Sequence, residues 1–273
     1  MKRTRTVSAL TIALSLSGCG GTKPPPENPQ VATEASAEPA QPPRPAESGA
    51  VSASATAEPA PANKKPAEQG TPLEQLMHQH FKQAEEIRHA VVSGKLNNAV
   101  QPALSLGNTA ENSDLPKAWR PSLERMRTAA SRVQNSSDLA ETAAGTADIG
   151  VACGSCHEGQ GGPKVTVGEA PAVGTTVVSR MARHAWAMER LWEGLFVPSS
   201  AAWKAGAKAL QGDPFPPEVL ERGGVYGRTA AKDFKSLAAQ APAKEASKDR
   251  AALYAGLLGT CATCHLATGR ATQ

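Results

Sequence analysis

The pattern Cys-x-x-Cys-His occurs twice in this chain, as Cys153, Cys156 and His157 and again as Cys261, Cys264 and His265. Two thiols and an imidazole at this spacing suit covalent attachment of haem. Each thiol adds to a vinyl group of the porphyrin, and the histidine ligates the iron from the proximal side. Positions i, i+3 and i+4 share one face of an α-helix, so both sulfurs and the imidazole can meet one flat macrocycle. Other chemistries fit less well. A thioredoxin-like redox pair expects a βαβ setting that the sequence lacks. A single zinc usually takes its ligands from nearby segments, and these pairs lie far apart. Neither zinc nor a pair of disulfides accounts for the histidine that follows the second cysteine both times. Two covalent haems c are therefore expected.

The fifth cysteine has a different setting. Residues 1–19 combine a basic start (Lys2, Arg3, Arg5) with an apolar stretch from Val7 to Leu16 and end in Leu16–Ser17–Gly18–Cys19. The basic and apolar parts read as a secretory signal. The ending resembles the lipobox of bacterial lipoproteins, which implies lipidation of Cys19 and a membrane anchor at the cell envelope. Several acyl chains on one residue hold firmly where a single chain is marginal. Which of the two bacterial membranes receives the anchor stays open.

Residues 20–70 are rich in Pro, Ala and Glu, with Pro24–Pro25–Pro26 and Pro42–Pro43–Arg44–Pro45. They carry almost no large apolar side chains, too few to offset the entropy of ordering. A disordered, partly polyproline-II stalk is expected, on the order of 100 Å long if extended at about 3.1 Å per residue.

The remainder repeats itself. Met77 and His80 match Met181 and His184 at one offset; Glu85 then meets Glu189, Ile87 meets Leu191, and Leu106 meets Leu210. The cysteine motifs match at an offset four residues larger, which a short insertion absorbs. Two haem-binding units are expected, at 71–165 and 174–273. Both read as all-α. Thr71–Pro72–Leu73–Glu74 offers a cap, a proline at the first helical position and a capping-box glutamate. Leu73, Met77, His80, Ala84, Ile87 and Val91 then follow the spacing of a bundle seam as far as Gly94. Further helices are expected at 95–106, 116–133 and from Asp138 through Cys156. The second unit should repeat them at 177–195, 199–210, 217–240 (broken at Gly223–Gly224) and 247–264. Short connections imply an up-down-up-down four-helix bundle in each unit.

A helical bundle with Cys-x-x-Cys-His on its last helix resembles the cytochrome c-prime family. The residues that carry the likeness are Cys153, Cys156 and His157, with Cys261, Cys264 and His265. The resemblance implies haem packed between the first and last helices, and a haem electron carrier or gas binder outside the cytoplasm. The units are shorter than typical members, which usually hold one haem per chain, and fold alone does not choose between activities.

The distal ligand does choose. His80 and His184 fall on the apolar seam, where a buried imidazole needs a partner for its nitrogens. They are the leading candidates to ligate iron opposite His157 and His265. Met77 and Met181, one turn away, are the rivals. The alternatives are an open distal side, with the methionines filling core and the histidines bonding a carbonyl or a haem propionate. His78 and His89 lie off the seam, and Trp119, Trp186, Trp192 and Trp203 suit packing.

A net charge of +4, with no basic stripe interleaved with aromatics, gives no ground for nucleic-acid binding. The sequence reads as a lipid-anchored dihaem c-type cytochrome that exchanges electrons with an unidentified redox protein. Gas binding is the alternative, and a haem peroxidase, which needs an open iron beside an acid–base group, is a further one.

Overall fold

The computed structural model describes residues 71–108, 115–211 and 215–269. Among these there are nine α-helices and no strand. The expected signal, Cys19 and the proline-rich stalk lie outside the described residues.

Local chemistry starts and stops the helices. At α1 (Pro72–Val92) the capping box forms as the sequence predicts: Thr71 Oγ1 accepts the Glu74 N–H at 3.3 Å, and the Glu74 carboxylate accepts the Thr71 N–H at 2.7 Å. Gly94, at φ +69°, turns the chain away after it. Helix α2 spans Asn97–Gly107. The helix expected at 116–133 opens instead with a 3₁₀ turn, Lys117–Trp119, before α3 (Arg120–Asn135). Asp138 caps α4 (Leu139–Gln160) by accepting the Glu141 N–H at 2.8 Å, so it stands just outside the helix.

The second half runs through α5 (Val177–Phe196), α6 (Ser200–Leu210), α7 (Pro217–Arg222), α8 (Gly224–Gln240) and α9 (Ser247–Thr268). The break before α8 falls at Gly223–Gly224, as expected. Helix α9 continues one turn past the expected end at Cys264. Thr268 Oγ1 bonds back to the Cys264 carbonyl at 2.9 Å, and Gly269 in the left-handed region closes the helix. His265 therefore sits inside a helix.

Helix lengths follow the sequence repeat: α1 and α5 have 21 and 20 residues, and α4 and α9 have 22 each. Packing crosses from one half to the other. Helix α4 lies against both α9 and α5, while α1 contacts α4 and α9. The long helices α1, α4, α5 and α9 thus form a central group, flanked by α2 and α3 on one side and α6 to α8 on the other. One contiguous buried cluster runs through both halves, including Ile87, Ile149, Leu191 and Leu257.

Small residues on α4 permit this closeness. A Cβ on Gly150 would run into the Trp192 ring, and one on Gly154 into the Leu195 carbonyl oxygen. Interaxial distance depends on the side chains at the contact, and glycine allows the shortest. Helix α9 is the one described helix long and apolar enough to cross a membrane. Here Leu253, Tyr254, Leu257, Leu258 and Ala262 are buried within the protein.

Candidate functional site

Helix α4 places Cys153, Cys156 and His157 along one wall of a cavity of about 640 Å³. That volume falls within the range of about 300–1,000 Å³ that takes a sizeable organic ligand. Helix α1 contributes Met77 and His80, α3 contributes Met126, and α5 contributes Trp192 and Phe196. The sequence candidates of the first half are therefore gathered at one place. His80 is buried, which lowers its pKa and favours the neutral imidazole that ligates metal. Burial also pushes the Cys153 thiol up to about 12 and raises that of Cys156. These thiols stay protonated at neutral pH.

The cavity wall carries two buried donors without acceptors. Among the described residues, the indole N–H groups of Trp119 and Trp192 have no hydrogen-bond partner. Buried donors are normally satisfied, so both fit a bound group that offers acceptors. A haem, apolar across its rings and edged with carboxylates, suits this combination of thiols, imidazole, volume and orphan donors.

The imidazole of His157 is fixed by a bond from outside α4. Its Nδ1 lies 2.6 Å from the carbonyl oxygen of Phe196, the last residue of α5. A carbonyl only accepts, so Nδ1 carries a proton, and in the neutral ring the lone pair is then on Nε2. This is the tautomer a metal-ligating histidine needs, with a hydrogen bond that orients the ring. The Phe196 carbonyl belongs to a helix end, where the last carbonyls lack intrahelical partners. Gly162 lets the chain fold over the ring, since a Cβ there would strike His157.

The second motif repeats the device. Cys261, Cys264 and His265 share a face of α9, and His265 Nδ1 lies 2.9 Å from the carbonyl of Val92, the last residue of α1. Val92 and Phe196 match at the offset that brings His80 onto His184. Each motif thus draws its orienting carbonyl from the other half of the chain. Burial pushes the Cys261 thiol up to about 12 and raises that of Cys264.

His184 lies in different surroundings from His80. It is buried with its ring centroid 5.2 Å from that of Phe215 and 5.1 Å from that of Phe234. Met181 is half-buried against the core. His78 and His89 are exposed, although His78 also borders the first cavity. The four cysteines of the motifs are free thiols, and among the described residues no three His, Cys, Asp or Glu side chains group as a zinc site requires.

No family model matches the chain, and no curated protein or solved structure is similar enough to it to register.

Sequence reasoning missed the carbonyls of Phe196 and Val92, because a backbone group has no residue signature. It also passed over Arg88, which is buried on α1. Its Nε lies 3.2 Å and its Nη2 2.5 Å from the two carboxylate oxygens of Glu85, and Nη2 is 4.0 Å from Glu189. The signal was available: an arginine on the seam, four residues before Val92, at the position that matches Trp192.

Proposed function

We propose that this chain is a dihaem c-type cytochrome that carries electrons at a bacterial cell envelope. Cys153 and Cys156 hold one haem through thioethers and Cys261 and Cys264 the other, with His157 and His265 as proximal ligands. Bound haem supplies a reversible one-electron couple, and the protein sets its potential through ligand, burial and hydrogen bonding. The reading extends to two cytochrome c-prime-like bundle units that share their central helices, and to export on a lipid anchor at Cys19.

The observation that carries the reading is the pair of bonds from His157 Nδ1 to Phe196 and from His265 Nδ1 to Val92. Both histidines are oriented through Nδ1, which leaves Nε2 as the nitrogen free of that bond, at equivalent positions of two Cys-x-x-Cys-His motifs. Zinc, a disulfide framework or a thiol redox pair does not call for that arrangement. His80 supports electron transfer over gas binding, because a buried neutral imidazole on the wall of the first cavity can close the distal side of the iron.

The test is the absorption spectrum of the haem-matured soluble region, reduced, before and after carbon monoxide. Covalent haem at two per chain with no shift in the Soret band is expected. A shifted band means an open distal site and moves gas binding ahead. Absence of covalent haem sinks the reading altogether.

A further inference from the structure

Trp192 and Tyr254 stack with ring centroids 5.7 Å apart and planes inclined by 20°. Trp192 is buried on α5, and its ring forms part of the wall of the cavity that holds Cys153, Cys156 and His157. Tyr254 is wholly buried on α9, two turns before Cys261 and on the same face, and its phenol is within electrostatic reach of the Cys261 thiol. The aromatic pair therefore lies between the wall of the first motif's cavity and the helix that carries the second motif.

The repeat does not require these residues. Arg88 matches Trp192, and Thr146, equally buried, matches Tyr254. The matching positions are filled without aromatics, so close packing alone does not call for a tryptophan on a tyrosine here. The aromatics occur together on one side of the pseudo-repeat, where the two halves meet. Gly150 keeps room for the Trp192 ring against α4. Arg88, tied to Glu85, stands beside the Tyr254 hydroxyl and fixes the surroundings of the pair.

We propose that Trp192 and Tyr254 form the path by which an electron crosses between the two attachment sites. The inference rests on the dihaem reading above. The pair passes one electron at a time from the reduced to the oxidised site; no bond forms or breaks and no proton moves. A one-electron donor protein loads one site and a one-electron acceptor protein drains the other. Delocalised π-systems in stacked contact couple two redox centres better than aliphatic side chains filling the same volume.

The experiment uses the full haem-loaded protein, wild type and with Trp192→Leu, Trp192→Phe, Tyr254→Leu or Tyr254→Phe. Half-reduced samples are compared by exchange broadening of the haem methyl resonances, which reads the rate of transfer between sites. Haem content and both reduction potentials are measured on the same samples. Tyr254→Leu should slow the transfer several-fold with potentials and haem content retained, and Tyr254→Phe should recover most of the rate. Trp192→Leu should slow it too, with a change in haem content or potential at the first site, whose cavity wall it alters. If Tyr254→Leu fails to fold, Tyr254→Met takes its place, and Trp203→Phe, a buried tryptophan off the path, is the control. An unchanged rate at retained potentials overturns the path and leaves the dihaem reading intact. Wild-type protein without covalent haem overturns the dihaem reading instead.

Discussion

His157 Nδ1 on α4 lies 2.6 Å from the carbonyl oxygen of Phe196 at the end of α5, and the matching pair, His265 and Val92, lies 2.9 Å apart. Helices α1 and α5 thus each end on the imidazole of the other half's motif. Helix α1 carries His80 towards the first motif and ends on the imidazole of the second. Helix α5 carries His184 and ends on the imidazole of the first.

This exchange makes the halves interdependent. Residues 71–165 made alone lack the Phe196 carbonyl and the Trp192 side of the cavity wall. They should retain haem poorly and show a shifted reduction potential, because a proximal imidazole without its Nδ1 acceptor is a weaker and less oriented ligand. Supplying residues 174–273 as a separate chain should restore both. Haem stain and redox titration of the two preparations check this; a fragment with full haem content and native potential contradicts it.

Gly154 is the second residue of the first Cys-x-x-Cys-His motif, and its Cα faces the backbone of α5. Adding a methyl there drives α4 away from the Leu195 carbonyl. Gly154→Ala should cost about 1–3 kcal/mol, the usual effect of overpacking a tight contact. Ala262, at the matching position of α9, is already an alanine and fully buried, so the constraint belongs to the first site alone. Glu158→Ala, an exposed control, should stay within about 0.5 kcal/mol. Urea unfolding of the haem-free proteins gives both numbers.

The thiols give the haem-free protein a pH dependence of known sign. Burial holds Cys153 and Cys261 up at about 12, against an ordinary value of 9.0. Above pH 9 the unfolded chain releases these protons while the folded protein keeps them. The unfolded state then binds fewer protons, so stability falls as pH rises through this window and is fully present below it. Urea midpoints of the haem-free protein should hold up to about pH 8 and drop from about pH 9 upward, and the combined Cys153→Ala and Cys261→Ala variant should flatten the drop. Haem-loaded protein, whose sulfurs are thioethers, should lack this component.

Much of this architecture can be read in the sequence because its signals are local. Thr71 with Glu74, Asp138, the Gly223–Gly224 break and the 3–4 spacing around Ile87 each act within a turn or two, and each appears in the structure. Helix α9 runs past Cys264 because Thr268 and Gly269 decide its end, and both lie beyond the Cys-x-x-Cys-His motif. The long-range features were out of reach. The packing of α4 against both α5 and α9 depends on Gly150 and Gly154 being small, which reads in sequence as weak helix propensity and no more. The carbonyls of Val92 and Phe196 could not be singled out, because every residue has one.

His80 and His184 occupy matching sequence positions in unlike surroundings, and their alanine variants should differ. His80 is as buried as His184 but borders the first cavity, so the space left by its removal joins an existing opening. His184 is held between Phe215 and Phe234, so its removal leaves a hole among rings that cannot easily close it. His184→Ala should destabilise the haem-free protein by about 2–5 kcal/mol, as for other large buried side chains cut to alanine. His80→Ala should cost less than half of that. In haem-loaded protein the order of spectral effects should reverse: His80→Ala opens a position beside the cavity of the first motif and admits carbon monoxide readily, whereas His184→Ala, enclosed by Phe215 and Phe234, should admit little. Unfolding midpoints and carbon monoxide difference spectra of the two variants test both halves of the argument. Equal destabilisation and equal carbon monoxide uptake would show that the sequence repeat, and not these local surroundings, governs the two sites.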